Sequence, residues 1–318
     1  MASKSKVSNQ EHIPLLENLF DFYKFVGASP PLSKDFDLRE VDTKLMNLFD
    51  SVVEPFRHRF YCVSLYLEGG GIMNTGFWKT TLDKPALYFK TPNTILSWVI
   101  PEGTRKEYYI LFTEAFLTKH KSLAELVFDL PFFQLEKAIP FEIEAKDATF
   151  LTGIYKAILT EYQSDNIDKF EFISGYTYQL LLHVRRLYFR FAETEQDLVL
   201  QLKSGDDVLV NKFQSMIKKY LPDTASNGQA RTVNFYARLL SVHPYHLNAV
   251  VKRATKETAI SFIHRQVINE AKSLLIQTDL SIKQITFKLG FNEPSHFNNF
   301  FKKQLQVTPA VYRIQGGI

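Results

Sequence analysis

Two ten-residue stretches near the C-terminus repeat the same hydrogen-bonding and basic side chains at the same offsets. One reads P-Y-H-L-N-A-V-V-K-R from Pro244, and the other reads P-S-H-F-N-N-F-F-K-K from Pro294. Amide groups read base edges in the major groove of DNA, whereas lysine and arginine mainly hold phosphates. The repeat therefore predicts two DNA-reading helices. Their candidate contact residues are Pro244, Tyr245, His246, Asn248, Ala249, Lys252, Arg253, Ser295, His296, Asn298, Asn299, Lys302 and Lys303.

These residues divide into two predicted roles. Asn248 and Asn298 are candidates for reading adenine by paired hydrogen bonds, an interaction that discriminates bases by roughly 1–3 kcal/mol. The basic residues are expected to hold phosphates and so to set register and affinity without reading sequence. This basic set comprises Lys252, Arg253, Lys302, Lys303 and Lys288.

Short helices are expected to precede and position both reading helices. Ser281 followed by Gln284 predicts a capping box, and Gly290 predicts the end of that helix. In the first copy Ser241 stands where the second copy has Gly290. A longer helix over 259–277 is predicted to join the two units. Duplicated hairpins that merely pack together are the alternative, but their outer faces would not need to keep His, Asn and Lys.

Charge is unevenly distributed along the chain. From Val208 onward there are 15 Lys and Arg residues against 5 Asp and Glu residues, a net charge of +10, although the whole chain carries only +4. A surplus of this kind on one segment predicts a polyanionic partner for that segment. Together with the repeated helices, it favours double-stranded DNA over a solvated surface.

The segment from about Val208 to Arg313 resembles the DNA-binding domain of the AraC/XylS family of bacterial transcription regulators. The most specific match is AKSLLIQTDLSIKQITFKLGFNEPSHFNNFFKKQLQVTPAVYR. The resemblance implies seven helices and two recognition helices that enter successive major grooves. The sequence departs from the family at Lys256 and Gln306, where Gly is usual, and at Asn299, where Arg is frequent. The last change removes an expected phosphate or guanine contact.

The N-terminal part has a different residue pattern. Short β-branched and aromatic runs separated by turns from about Phe56 predict a sandwich or barrel, which resembles the cupin-like sensory barrel of many such regulators. Gly69 to Gly71 is interpreted as a hairpin turn. The first forty or so residues are interpreted as an appendage, with a helix over Ile13 to Phe25. Low-specificity candidates for an effector pocket, with plain core as the alternative, are Tyr61, Tyr66, Trp78, Tyr88 and Trp98.

The predicted fold is α+β, with a cupin-like β-barrel and flanking helices followed by an all-α domain with two helix-turn-helix motifs. The predicted divisions are an effector and dimerisation domain over 1–191, a linker over 192–207 and the DNA-binding domain over 208–318. Helices within about 148–191 are expected to form a homodimer contact, and covering the barrel is the alternative.

The sequence lacks the residues that several functional classes need. His58 is the only histidine of the predicted strand region, so no metal site or cofactor is expected. Cys62 is the single cysteine of the sequence, so an intrachain disulfide is excluded. A buried structural role is favoured for it over a reactive one. With neither a signal peptide nor a membrane span in the sequence, a cytoplasmic location is expected.

The sequence thus predicts a non-enzymatic, sequence-specific DNA-binding transcriptional regulator, with promoter DNA, RNA polymerase and a possible small-molecule effector as partners. Activation is the interpretation adopted, although no residue distinguishes an activator from a repressor. The alternatives are a cupin-type enzyme and a protein-interaction module without DNA binding.

Overall fold

The computed structural model describes residues 13–42, 52–81, 84–100, 105–133, 137–192, 205–222 and 228–316. Strands dominate the first part of these residues. They are β1 (Leu15–Leu16), β2 (Phe36–Asp42), β3 (Val52–His58), β4 (Phe60–Glu68), β5 (Ile72–Thr75), β6 (Trp78–Thr81), β7 (Ala86–Lys90), β8 (Ile95–Val99), β9 (Lys106–Thr113) and β10 (Phe141–Glu142).

Helices dominate the remainder. They are α1 (Leu19–Phe25), α2 (Glu114–Lys119), α3 (Lys121–Asp129), α4 (Ala145–Gln163), α5 (Lys169–Phe191), α6 (Gly205–Tyr220), α7 (Val233–Leu239), α8 (Pro244–Thr255), α9 (Ala259–Gln277), α10 (Ile282–Lys288), α11 (Pro294–Leu305) and α12 (Pro309–Ile314). A β-rich part followed by an all-α part confirms the α+β prediction.

The strands form two five-stranded sheets that enclose an aromatic core. Sheet A has the order β1-β3-β8-β5-β6, and sheet B has the order β10-β7-β4-β9-β2. Phe56 and Trp98 of sheet A and Tyr66 and Tyr109 of sheet B belong to the buried cluster between them. In the described residues no strand of one sheet pairs with a strand of the other. The predicted barrel is therefore an open, two-sheet structure.

The glycine-rich stretch does not form a hairpin turn. It follows β4 of sheet B and precedes β5 of sheet A, so the chain changes sheets there and the hairpin prediction is wrong. Gly71 has φ +129°, and a Cβ atom at this position would lie 2.9 Å from the carbonyl oxygen of Val99. Only glycine allows the chain to pass so close to β8.

The N-terminal segment is part of the core and not an appendage. Leu15 and Leu16 pair in parallel with β3, and the helix begins only at Leu19. Its start is fixed by Asn18, whose side chain accepts a hydrogen bond from the backbone N–H of Asp21. Phe22 of α1 is buried in the cluster between the sheets. The predicted helix over Ile13 to Phe25 is therefore correct only in its second half.

Helices α4 and α5 cover the outer face of sheet B. Tyr155 of α4 is fully buried, and its hydroxyl donates to the carbonyl oxygen of Val63 at 3.0 Å. Both helices fall in the region of about 148–191 where helices were expected, apart from the first turn of α4. Covering the sheet is thus one role of this pair.

The described residues from 205 to 316 contain α6 to α12, the seven helices that the family resemblance implied. They share one hydrophobic cluster, in which Phe213, Leu247, Ile263, Leu274 and Phe297 are all fully buried. Helix α9 has the predicted bounds and contacts α7, α8, α10 and α12. It therefore holds the two repeated units in a fixed arrangement.

Candidate nucleic-acid interface

Helix α8 is the first predicted reading helix. Pro244 occupies its first turn, where the missing N–H costs nothing, and the His243 side chain accepts from the N–H of Tyr245 at 3.2 Å. Leu247, Val250 and Val251 face the core. One face of the helix is therefore anchored by apolar burial, which leaves the other face in solvent.

Helix α11 repeats α8 position by position, fifty residues later. Phe297 and Phe301 are buried where α8 buries Leu247 and Val251. The same positions are exposed in both helices, which we call the paired outer faces. They consist of Tyr245, His246, Ala249, Lys252 and Arg253 in α8 and of Ser295, His296, Asn299, Lys302 and Lys303 in α11.

The helices before α8 and α11 begin and end in matching ways. The Thr232 side chain caps α7, and Ser281 forms with Gln284 the capping box predicted for α10. The turns that follow contain left-handed residues at Ser241, with φ 54°, and at Gly290, with φ 73°. Both units are thus helix-turn-helix hairpins of the same construction.

Lys256 and Gln306 end the two reading helices although neither is the usual glycine. Each has φ 63°, and their N–H groups donate to the carbonyl oxygens of Lys252 and Lys302 at 3.0 and 2.8 Å. The left-handed turn after each reading helix is therefore kept. It carries the steric strain that a side chain introduces in this conformation.

Asn248 and Asn298 hold equivalent positions but have different surroundings. The Oδ1 atom of Asn248 accepts a hydrogen bond from the N–H of Ala259 at 3.0 Å, which fixes the start of α9. Paired reading of adenine needs this oxygen, so the structure argues for a positioning role of Asn248. Pro309 stands at the equivalent place in the second unit and has no N–H, so Asn298 cannot make the same bond.

Two basic residues of the C-terminal segment serve the fold. The Arg231 guanidinium donates to the Gly290 carbonyl oxygen at 2.6 Å and lies 3.9 Å from the Phe291 ring centroid. Arg313 donates to the carbonyl oxygens of Leu275 and Leu280 at 3.1 and 2.7 Å. Burial lowers the pKa of both guanidinium groups. The segment's charge surplus therefore overstates the charge available to a ligand.

The basic residues of the reading helices themselves remain in solvent. Lys252, Arg253, Lys302 and Lys303 are exposed and lie in the last turns of α8 and α11. Neither helix contains an aspartate or a glutamate. The paired outer faces thus offer hydrogen-bonding groups near the helix starts and positive charge near the ends, which suits a polyanion that also presents base edges.

The five candidate effector residues do not form one group. Tyr66, Tyr88 and Trp98 are buried between the two sheets. Tyr61 points to the opposite face of sheet B, where its ring stacks on Phe112 with centroids 5.4 Å apart. Trp78 is half-buried on the edge strand β6. Only three of the five can therefore line a common site.

In the described ranges, no group of three or more His, Cys, Asp or Glu side chains is arranged to hold a metal ion. Over the same residues, every helix is too short or too polar to span a bilayer.

The family profile described as a helix-turn-helix domain matches residues 236–315, the segment that contains both reading helices. The C-terminal segment is an AraC-type helix-turn-helix domain. The family resemblance of the sequence is thereby confirmed for this domain.

Parts of the chain are also similar to known regulatory proteins. The HTH-type transcriptional regulator GlxA of Rhizobium meliloti (strain 1021) is 32% identical over 110 residues, which are 34% of this chain and 31% of that protein. The xylose operon regulatory protein of Haemophilus influenzae is 40% identical over 63 residues, which are 20% of this chain and 16% of that protein. The chain thus spans about a third or less of the length of these two relatives.

A likeness to a solved structure extends further along the chain. ToxT from Vibrio cholerae O395 is 15% identical, and the alignment covers 89% of this chain and 98% of that chain with a TM-score of 0.36.

Proposed function

We propose that the protein is a transcriptional regulator that binds duplex DNA sequence-specifically through α8 and α11. The observation that carries this proposal is the match between the paired outer faces on an AraC-type domain. Packing alone requires only the buried positions to correspond, whereas here the exposed His and basic positions correspond as well. Two helices presented roughly one DNA turn apart, about 34 Å, would enter successive major grooves.

The two units are proposed to contribute differently. In the first, the Asn248 oxygen is engaged within the protein, which leaves Tyr245 and His246 as its polar groups at the start of α8. In the second, Asn298 and Asn299 are adjacent on α11, and the following helix begins with Pro309, which has no N–H to engage the Asn298 oxygen. Adenine recognition by paired hydrogen bonds is therefore assigned to the second unit.

Substitutions in α11 separate base reading from phosphate binding. Asn298→Ala should relax the preference at one base pair and cost about 1–3 kcal/mol at the preferred operator only. Lys302→Ala should weaken all operators alike and reduce the salt dependence of binding by about one phosphate contact. Binding of both variants to a panel of singly substituted operators over a range of salt concentrations measures this. Equal losses across the panel would refute the division of roles.

Asn248→Ala is the matched control. Because Asn248 holds the start of α9, its loss should lower the free energy of unfolding and leave the base preference unchanged. A shift in base preference for this variant would reassign reading to the first unit. No binding by any form, at low salt and with a genome-derived operator pool, would exclude DNA binding and return the alternatives of a cupin-type enzyme or a protein-interaction module.

The division of the chain follows from this proposal. Residues 1–191 are proposed to form an effector and dimerisation domain and 208–318 the DNA-binding domain, with 192–207 as linker. Residues 193–204 of that linker lie outside the described residues. RNA polymerase is the proposed partner of the DNA-bound protein.

The solvent face of α4 and α5 is the proposed homodimer contact. Phe150 of α4 is 50% exposed, and its ring lies 4.5 Å from that of His183 of α5. Tyr178 is 37% exposed on the same helix as His183. A Cβ atom at Gly153 or Gly175 would meet no atom within 4 Å, so these positions leave room for another backbone to approach.

Replacing Phe150 by Asp should weaken self-association by tenfold or more, because it places a charge within an apolar contact. Sedimentation equilibrium of the full chain measures the effect. Phe20, which is 45% exposed on α1, gives the matched control Phe20→Asp, and this variant should associate like the parent chain. The dimer proposal fails if both variants behave alike, or if the parent chain is a monomer at every concentration.

A further inference from the structure

A small polar cavity lies between the two sheets. Its volume is about 20 Å³, which exceeds what a single water molecule needs. Apolar walls come from Phe22, Met73 and Leu111, and the Trp98 ring also lines it. Tyr109 and three charged side chains complete the lining, and the charged ones are Lys90, Arg105 and Glu107. The cavity therefore combines an apolar enclosure with fixed charge.

Lys90 is the unusual member of this group. It is only 7% exposed, and within the described ranges its ammonium has neither a hydrogen-bond acceptor nor a carboxylate within ion-pair distance. The ammonium lies over the Trp98 ring, whose centroid is 5.9 Å from Nζ. A buried ammonium is costly unless an anion or hydrogen-bond acceptors accompany it. Lys90 thus has unused capacity to bind an anion.

The nearby carboxylate does not fulfil that need. Glu107 is 3% exposed and forms an ion pair with Arg105. The cavity lining consequently has two cations and one carboxylate. The neighbouring His58 is affected by this positive charge. Its pKa is lowered to about 3, first by burial and then by the charge of Lys90. His58 Nε2 is also buried without a hydrogen-bond partner in the part of the chain described.

We infer that this cavity binds the carboxylate of a short monocarboxylic acid, with Lys90 as its counter-ion and Trp98 against its apolar tail. A single negative charge balances the lining, whereas a second would be repelled by Glu107. Neutral sugars would leave the ammonium unpaired, and the volume is too small for one. Whether this ligand acts as the effector rests on the proposed function, but the binding itself does not.

Propionate serves as the probe, and the uncharged isostere propionamide serves as its control. The chain has two tryptophans, so Trp78→Phe leaves Trp98 as the only indole fluorophore. Propionate titrated into this full-length variant, at ionic strength held constant with NaCl, should change the Trp98 emission saturably. Propionamide should leave it unchanged. Adding Lys90→Met, which keeps the volume and removes the charge, should raise the Kd for propionate tenfold or more.

Three results would overturn the inference. They are the absence of a propionate response in the Trp78→Phe chain, an equal response to propionamide, and an unchanged Kd in a folded Lys90→Met variant. The first two need no change at Lys90, so they decide the matter even if that variant does not fold. Operator binding by the unsubstituted chain without propionate tests the proposed function separately, and neither outcome determines the other.

Discussion

Phe297→Ala should lower the free energy of unfolding of the C-terminal helices by about 3–5 kcal/mol. The Phe297 side chain is fully buried on the inner face of α11. Its ring centroid lies 5.5 Å from that of Phe291 and 5.8 Å from that of Phe301. Alanine would remove these contacts and leave a cavity that the helices of a small bundle cannot close without moving α11.

Urea unfolding followed by helical circular dichroism measures this loss. Phe287→Ala is the matched control, because Phe287 lies on the neighbouring α10 and is 44% exposed. It should change the free energy of unfolding by no more than about 0.5 kcal/mol. Similar losses for the two variants would mean that the second helix-turn-helix is not packed as described.

The second large effect is expected at the contact between sheet A and α9. Arg57 of β3 and Glu270 of α9 form an ion pair in which the side chains are only 7% and 12% exposed. Arg57 also donates to the carbonyl oxygen of Asn93 at 2.6 Å. Glu270→Ala leaves the guanidinium buried with the neutral Asn93 carbonyl in place of a carboxylate, and removing one partner of a buried pair costs about 3–5 kcal/mol.

A double variant separates the charge penalty from the loss of packing. Arg57→Met combined with Glu270→Met removes both charges and should recover most of the stability, because a buried pair can be replaced by apolar groups at little cost. Differential scanning calorimetry of the full chain shows whether the two parts still unfold together. An additive or larger loss in the double variant would contradict this account of the contact.

Features that depend on residues close together in the chain could be predicted from the sequence. The bounds of α9, the Ser281 capping box and the repeated reading helices all follow from side chains a few positions apart. The contact of α9 with sheet A does not, because it joins residues about 180–213 positions apart. Gln277 is an example, since it donates to Ile95 O at 3.1 Å and accepts from the Ser97 hydroxyl, yet its sequence position indicates only a helix end.

The separation of the effector candidates into different surroundings has a related reason. Sheet B is covered by α4 and α5 on one face and by sheet A on the other, so β4 is buried at nearly every position. Such a strand loses the polar-apolar alternation that would show which of its faces lines the space between the sheets. Tyr61 and Tyr66 are five positions apart, so strand geometry alone places them on opposite faces, as observed, but the sequence does not show which of the two faces sheet A. The sequence did not indicate Lys90 as a site residue, because a single lysine in an aromatic strand matches no binding motif.

Helix α9 also sets the distance between the two helix-turn-helix units. Its 19 residues span about 28 Å at the rise of an α-helix, and both ends are built into the two reading units. One residue inserted in it would turn the second unit by about 100° around the helix axis and move its outer face away from that of the first unit. If both units bind DNA as proposed, the distance between the two elements that one chain reads is fixed by the protein. Variable spacing in an operator would then arise only between chains.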